Sequence, residues 1–368
     1  MRSLKTLNNM KKLLFIIALF ASLSLDAQYV TTSAKKASSQ NDGVFYYLPR
    51  TVIRFELTVE ETQYRIGPYA EYATQMLGTT DYIRENKTEA AIKSIDIQLG
   101  SEIDPNAMFF IESDEKNKDP MPNVIMDFDG IIRAVGFDSI PSNLTISRNS
   151  FNYNDLSYKE SPNVSFIEIL VNQENDDDDE DDGEGSKAKK KMTDEEKARI
   201  AVENIDKIRN AHFDLVSGVQ EVSFGSTTTY MVDNIKDIEY EYVSLFKGKA
   251  VKNTYKVYFY LTPDKNQANS NVLVGKLDNG ESLKIQFDTK NASANINALD
   301  DDVLNSSQTN KLFYRIPAQT NAKVTLGNEI ILNKPLIISQ FGTFRLISTK
   351  NNKILFNPNT GQIVTVSK

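Results

Sequence analysis

Two stretches near the middle of the chain, Thr193–Ser217 and Thr227–Lys247, carry apolar residues at helical spacing, while the sequence on either side alternates like β-strand. In the first, Ala201, Ile205, Ile208, His212 and Leu215 step four-three-four-three, and Met231, Ile235, Ile238, Tyr242 and Leu245 do the same in the second. That spacing puts each set on one face of a helix. The stretches match in register 30 positions apart, Val202-Glu203-Asn204-Ile205 against Val232-Asp233-Asn234-Ile235, and each ends at a glycine, Gly218 or Gly248, where a left-handed cap belongs. Two amphipathic helices obeying the same rules produce this coincidence; duplication is the other reading. Thr193 to Glu196 forms a capping-box pattern. Neither helix is stable with its apolar side wet, because helices in proteins draw most of their stability from packing. The expectation is a helical hairpin covering one face of a sheet that includes Thr254–Leu261. Its facing residues are expected to be Ile205, Ile208, Leu215, Ile235, Ile238 and Leu245.

The strand signals are period-two. Ile53, Phe55, Leu57 and Val59 alternate with Arg54, Glu56, Thr58 and Glu60, the pattern of a half-buried strand. Gly67-Pro68 breaks the chain, and Tyr69–Leu77 reads as a short helix stopped by Gly78. Lys87–Leu99, Ala107–Glu112 and Val164–Val171 read as strands, and Asn123–Gly136 as a hairpin turning at Asp127-Phe128-Asp129-Gly130. Thr254–Leu261 carries apolar or aromatic groups on both faces, which predicts cover on both sides. Further on, Val272–Leu277 and Leu283–Asp288 flank Asp278-Asn279-Gly280, a hairpin turn signal. Leu312–Ile316, Lys323–Leu326, Glu329–Leu332, Phe344–Ser348, Ile354–Phe356 and Gln362–Val366 follow, the short evenly spaced strands of a sandwich.

The first residues read as an export leader. Arg2, Lys5, Lys11 and Lys12 precede an apolar run of 13 residues, Leu13 to Leu25, and Ala27 offers a small residue for cleavage before Gln28. Thirteen residues do not span a bilayer, which needs about 20, and no later stretch reads as a membrane segment. The chain has no cysteine, so lipid attachment to an N-terminal Cys and disulfides are excluded and the fold rests on its core. About 340 residues after cleavage, at 40% hydrophobic content, suffice for two domains. Removing the leader, four bases and one acid, takes the formal charge from −8 to −11, and the nine acids between Glu174 and Glu184 account for most of it. An acidic balance concentrated in one run argues against nucleic acid as a partner.

The linear organisation expected is therefore a signal peptide over 1–27, a disordered N-terminus over 28–43 and a β-rich region over 44–173. An acidic and basic disordered loop over 174–191, the helical hairpin over 192–248 and a C-terminal β region over 249–368 complete it. The fold class is α+β, with the hairpin packed on a sheet and an antiparallel, sandwich-like C-terminal region.

Several segments together resemble a Bacteroidetes family of exported proteins catalogued only as a domain of unknown function. They are Tyr46-Tyr47-Leu48-Pro49-Arg50-Thr51, Gly67-Pro68-Tyr69-Ala70-Glu71-Tyr72 with Leu77-Gly78, and Asp214-Leu215-Val216-Ser217-Gly218. Leu245-Phe246-Lys247-Gly248-Lys249 and Tyr258-Phe259-Tyr260-Leu261-Thr262-Pro263 continue the likeness. Tyr314-Arg315-Ile316-Pro317, Gln340-Phe341-Gly342 and Phe356-Asn357-Pro358-Asn359-Thr360-Gly361 end it. The resemblance implies a Gram-negative envelope location and brings no activity, cofactor or catalytic residue.

The sequence offers little catalytic chemistry. His212 is the single histidine and has no second His or Cys for a zinc site or a triad, so it reads as a partly buried seam residue. Asp127-Phe128-Asp129-Gly130 is similar to the nucleophile loop of aspartate-based phosphatases. The Thr that follows there is Ile131 here, no α/β alternation follows, and a hairpin turn is the stronger reading. An EF-hand alignment with Gly183 at its sixth position puts Lys189 where the bidentate Glu belongs, so no specific calcium site is expected. Asp138-Ser139-Ile140 fits the short pattern Bacteroidetes use for O-glycosylation, which marks Ser139 as a modification site. No catalytic, cofactor-binding or metal residue and no cofactor is expected. The function expected is an exported envelope protein that binds or supports a partner, an envelope protein or a glycan. The alternative is a carboxylate-based hydrolase of glycans or peptidoglycan, whose paired acids come from distant strands and escape a linear scan.

Overall fold

The computed structural model describes residues 29–36, 42–113, 121–153, 164–169, 192–217, 227–277, 279–289, 301–304 and 306–368. The stretch 1–27 expected to be a leader, the run 174–191 and the cap position Gly218 lie outside these residues. The architecture is α+β, with antiparallel sheets and helices concentrated in the middle of the chain. It divides into two compact units. One comprises described residues of Met1–Glu56, Ile95–Leu156 and Tyr258–Lys368, the other those of Leu57–Ser94 and Ser157–Val257.

Thirteen strands are found among the described residues. They are β1 (Tyr29–Ser33), β2 (Gly43–Arg65), β3 (Lys87–Ser113), β4 (Val124–Met126), β5 (Ile132–Val135), β6 (Lys249–Leu261) and β7 (Asn271–Lys276). The rest are β8 (Ser282–Asp288), β9 (Gln308–Thr309), β10 (Lys311–Leu326), β11 (Glu329–Ser348), β12 (Lys353–Phe356) and β13 (Ile363–Ser367). They form sheets in the orders β6-β2-β3-β1-β9, β11-β10-β8-β7 and β13-β12-β5-β4. In β2 the expected alternation holds: Ile53, Phe55, Leu57 and Val59 are buried, and the residues between them are half-buried. The hairpins expected at Asp127–Gly130 and Asn279-Gly280 form, and two more turn at Gly327-Asn328 and Pro358–Gly361.

Differences from the sequence reading cluster where polar or breaking residues are accommodated by tertiary contacts. The stretch 28–43, expected to lack order, contains β1, paired to β3 from Tyr29↔Ser113 to Ser33↔Phe109. Its threonines are polar yet buried, so hydropathy gave no sign of it. The two strands expected within 87–112 are one, because β3 runs through Asp104-Pro105-Asn106. Likewise β10 runs through Pro317 and β11 joins the two strands expected within 329–348. A proline is tolerated where its missing N–H faces no ladder partner, and here Pro317 sits in a register shift between Ile316 and Ala318. Across it lie Ser339, Gln340, Phe341 and Gly342, four residues against one. A Cβ on Gly342 would fall 1.8 Å from the Ile316 carbonyl oxygen, so only glycine fits that approach. Val164–Ile169 is not a strand. The sandwich expected at the C-terminus is not self-contained either, since β12 pairs with β5 from the N-terminal half.

In the first unit Tyr46, Leu48, Phe109, Ile111, Phe313, Ile354 and Phe356 share one core. Phe109 lies between Tyr46 and Phe313, with ring centroids 5.4 and 4.5 Å away. Tyr46 does more than fill space. Its hydroxyl accepts from the Phe313 N–H at 3.0 Å and donates to the Phe313 carbonyl at 3.2 Å.

In the second unit lie α1 (Ala73–Leu77), α2 (Asp194–Ser217) and α3 (Thr228–Lys247). The Thr193 capping box is present: Thr193 N–H donates to Glu196 Oε2 at 2.7 Å and Glu196 N–H to Thr193 Oγ1 at 3.2 Å. The core under the hairpin joins Ala198, Ala201, Ile205, Leu245 and Phe246 to Tyr69 and Ala73, with Phe166, Ile167 and Ile169 packed against it. Lys249 ties the 164–169 segment down, donating to the Ser165 carbonyl and pairing with Glu241 at 2.7 Å. Gly67 approaches the Leu245 carbonyl so closely that a Cβ would lie 2.3 Å away, and Tyr69 N–H donates to that same oxygen. Burial is confined to one end of the hairpin. Of the six residues expected to face inward, Ile205 and Leu245 are fully buried, Ile208, Leu215 and Ile235 are half-buried, and Ile238 is 49% exposed. Gly248 has φ +82° with an extended ψ, so it ends the helix without the left-handed cap expected of it. On β6 the cover is one-sided as far as Val257, because Lys252, Thr254 and Lys256 are exposed.

Leu245→Ala should therefore lose about 2–5 kcal/mol as a core truncation, whereas Ile238→Ala should stay within about 0.5 kcal/mol of the parent. Urea denaturation of the two variants side by side reads this, and equal losses would contradict the burial pattern. Tyr46 makes a separate prediction. Burial raises its pKa well above the ordinary 10.0, against the smaller pull of its bond to Phe313. Its neutral form is thus favoured by folding. Stability is fully present below pH 10 and declines above it, as the unfolded chain ionises first. Tyr46→Phe should remove a slope of about 1.4 kcal/mol per pH unit from that alkaline decline. It should also cost about 1–3 kcal/mol at neutral pH by leaving the Phe313 peptide groups unpaired. Denaturation series between pH 7 and 11 measure both.

Candidate functional site

The first unit holds a cleft of about 250 Å³ beside the Pro317 irregularity. That is near the lower end of the ~300–1,000 Å³ common for ligand pockets. It is walled by Arg50 from β2, Asp104 and Asn106 from β3, Thr262 to Lys265 after β6, Arg315 from β10, and Gln340, Gly342, Thr343 and Phe344 from β11, with Leu304 from α4 (Asp301–Leu304). Bulges recur next to sites because the extra residues re-aim side chains, and here the four residues opposite Pro317 do so.

Arg315 and Asp104 form the floor. Their side chains are 5% and 8% exposed, and Nη2 donates to Asp104 Oδ2 at 2.7 Å. Nη1 donates to the Pro49 carbonyl at 2.7 Å, and the guanidinium lies 4.7 Å from the Phe344 ring centroid. Burial lowers the Arg315 pKa, and Asp104 opposes that shift. Asp104 also accepts from the Asn106 N–H at 3.0 Å. At the rim Arg50 pairs with Glu102 at 2.7 Å, and Glu102 also accepts from Thr262 and Tyr153 hydroxyls. Burial, then Glu102, pushes Tyr153 up to about 12. Gln340 is fully engaged by Thr51: its amide donates to the Thr51 carbonyl at 2.8 Å and its oxygen accepts the Thr51 N–H at 2.9 Å.

Glu102 and Asp104 are two positions apart on one strand, which spaces such side chains by about 7 Å. That lies within the ~6.5–9.5 Å separation of inverting glycosidases. Each carboxylate, however, already accepts from a guanidinium, so neither is set up as the proton donor that such chemistry needs. The wall can hold a ligand by hydrogen bonds and charge.

The residues singled out in the sequence do not gather here. Asp127 and Asp129 sit in the β4–β5 turn, closed by Gly130 N–H to the Asp127 carbonyl at 2.9 Å. Asp127 pairs with Arg133 at 2.7 Å and Asp129 with Arg148, whose other nitrogens donate to Ser101. The phosphatase-like loop is a hairpin stapled by two arginines. His212 is half-buried on α2, in the other unit. Ser139 is exposed, in a bend after β5. No group of three or more metal-ligating side chains occurs among the described residues. None of the described helices is long and apolar enough to cross a membrane. Arg315 and Asp104 were missed as a pair because 211 residues separate them, and only Arg315 stood in a segment that drew notice.

Those segments meet in space. Arg315 reaches Pro49 by its side chain and Gly361 by its N–H, Thr51 holds Gln340 and Ser339, and Ser339 donates to the Thr360 carbonyl. In the second unit Gly67 and Tyr69 meet Leu245 and Phe246. The resemblance thus rests on joints of an α+β scaffold. The chain belongs to the family described as Domain of unknown function (DUF4831), whose profile matches residues 42–364. No curated protein and no solved structure matches it.

Asp104→Asn keeps the shape of the floor and strands the Arg315 charge. Breaking a buried pair from one side should cost about 3–5 kcal/mol, read as a lowered urea midpoint. A variant as stable as the parent would show that the pair is solvated in solution.

Proposed function

We propose that the protein is a non-enzymatic binding module, exported and held in the envelope of a Gram-negative bacterium of the Bacteroidetes group. The observation that carries the binding reading is the cleft itself: a concave space of about 250 Å³ with a polar wall, whose buried acid Asp104 is engaged by Arg315. Export is supported by the basic and apolar pattern of residues 1–27 and the small residue at Ala27. The lineage and periplasmic or outer-membrane location follow from the sequence resemblance. The partner is an envelope protein or a glycan, and nucleic acid is disfavoured by the acidic charge. Exposure of Ser139 within Asp138-Ser139-Ile140 supports its O-glycosylation in the host.

Protein purified from the host envelope should begin at Gln28 and carry extra mass that Ser139→Ala removes, both read by mass spectrometry. It should release neither reducing sugar nor muropeptides from peptidoglycan. An intact leader would defeat the export reading, an unchanged mass the modification, and turnover abolished by Glu102→Gln would establish the hydrolase instead.

A further inference from the structure

We propose that the cleft beside Pro317 recognises a carboxylate on a small ligand, with Lys265 as the principal counter-cation. This rests on the binding reading above. The wall carries three cations, Arg50, Lys265 and Arg315, and two acids, Asp104 and Asp264. Both acids are taken. Asp104 accepts from Arg315 and from the Asn106 N–H, and the Asp264 side chain accepts a backbone N–H in the capping box of the 3-10 turn Lys265–Gln267. Gln340 is closed off by Thr51. Both carboxylates of the wall thus already accept hydrogen bonds from the protein.

Donors remain. Lys265 is exposed and pairs with no acid among the described residues, and the Asn106 side chain is exposed and likewise without a partner among them. Arg50 uses Nε and Nη2 on Glu102, and its side chain is 31% exposed. A wall with more cations than acids and with cationic donors still free favours an acceptor, and a charged one most strongly, because bonds to ionised groups are the stronger kind. Leu304, Pro263 and Phe344 supply apolar surface for the carbon body. A cleft of about 250 Å³ admits a group the size of a single sugar acid or a terminal dipeptide. Those two sources share the chemistry, and the experiment separates them.

Isothermal titration of the full chain uses two matched pairs of probes: D-galacturonate against D-galactose, and N-acetyl-alanyl-alanine against its C-terminal amide. The expected result is at least a tenfold preference for the acid in one pair, and the pair that shows it identifies the source. Lys265→Ala should abolish the preference and Lys265→Arg should restore it, with melting temperatures unchanged because the side chain is exposed. The preference should also weaken between 0.05 and 0.5 M salt, as an exposed charge contact does. Equal binding of acid and neutral probes, no binding of either acid, or a preference that survives Lys265→Ala would overturn the proposal. None of these bears on the binding reading itself, which fails only if the protein turns over a glycan or peptidoglycan.

Discussion

Strand β10 has a ladder partner on one edge throughout most of its length, but on the other only from Asn321 to Leu326, where β8 pairs with it. Between Leu312 and Ile316 the second edge would leave buried peptide groups without partners, at about 1–3 kcal/mol each. Side chains and turns from distant segments fill the gap. The Tyr46 hydroxyl serves both peptide groups of Phe313, and the Gly361 carbonyl accepts the Arg315 N–H. Satisfying that edge brings β2 and the β12–β13 turn to one place, and the cleft forms beside it.

The same economy explains Arg315. A guanidinium is tolerated at 5% exposure only when its donors and its charge are met. Pro49, Asp104 and the Phe344 ring meet them. The Pro317 irregularity turns Gln340 towards Thr51, where its amide mimics a strand partner. The cleft and a structural joint therefore share residues.

The second unit is organised differently. Its helices are buried at the Ala198–Ile205 and Leu245–Phe246 end by the 69–77 segment and by residues 166–169, while Phe213 and Tyr230 stay 69% and 71% exposed. Helical periodicity describes which residues share a face. It says nothing about how far along that face a partner extends, which is why Ile238 fits the pattern and lies in the open.

What the sequence determined by itself was local. Alternation in β2, the glycine-marked hairpins, the capping box at Thr193 and the extent of both long helices follow from period, turn chemistry and capping, which act over a few residues. Tertiary structure alone decided the rest. It placed β1 in a sheet although its threonines look solvated, and carried β3 through Pro105 and β10 through Pro317, the latter at a register shift. It also joined Arg315 to Asp104 across 211 positions. These outcomes depend on which distant group satisfies a buried polar atom, and no linear spacing records that.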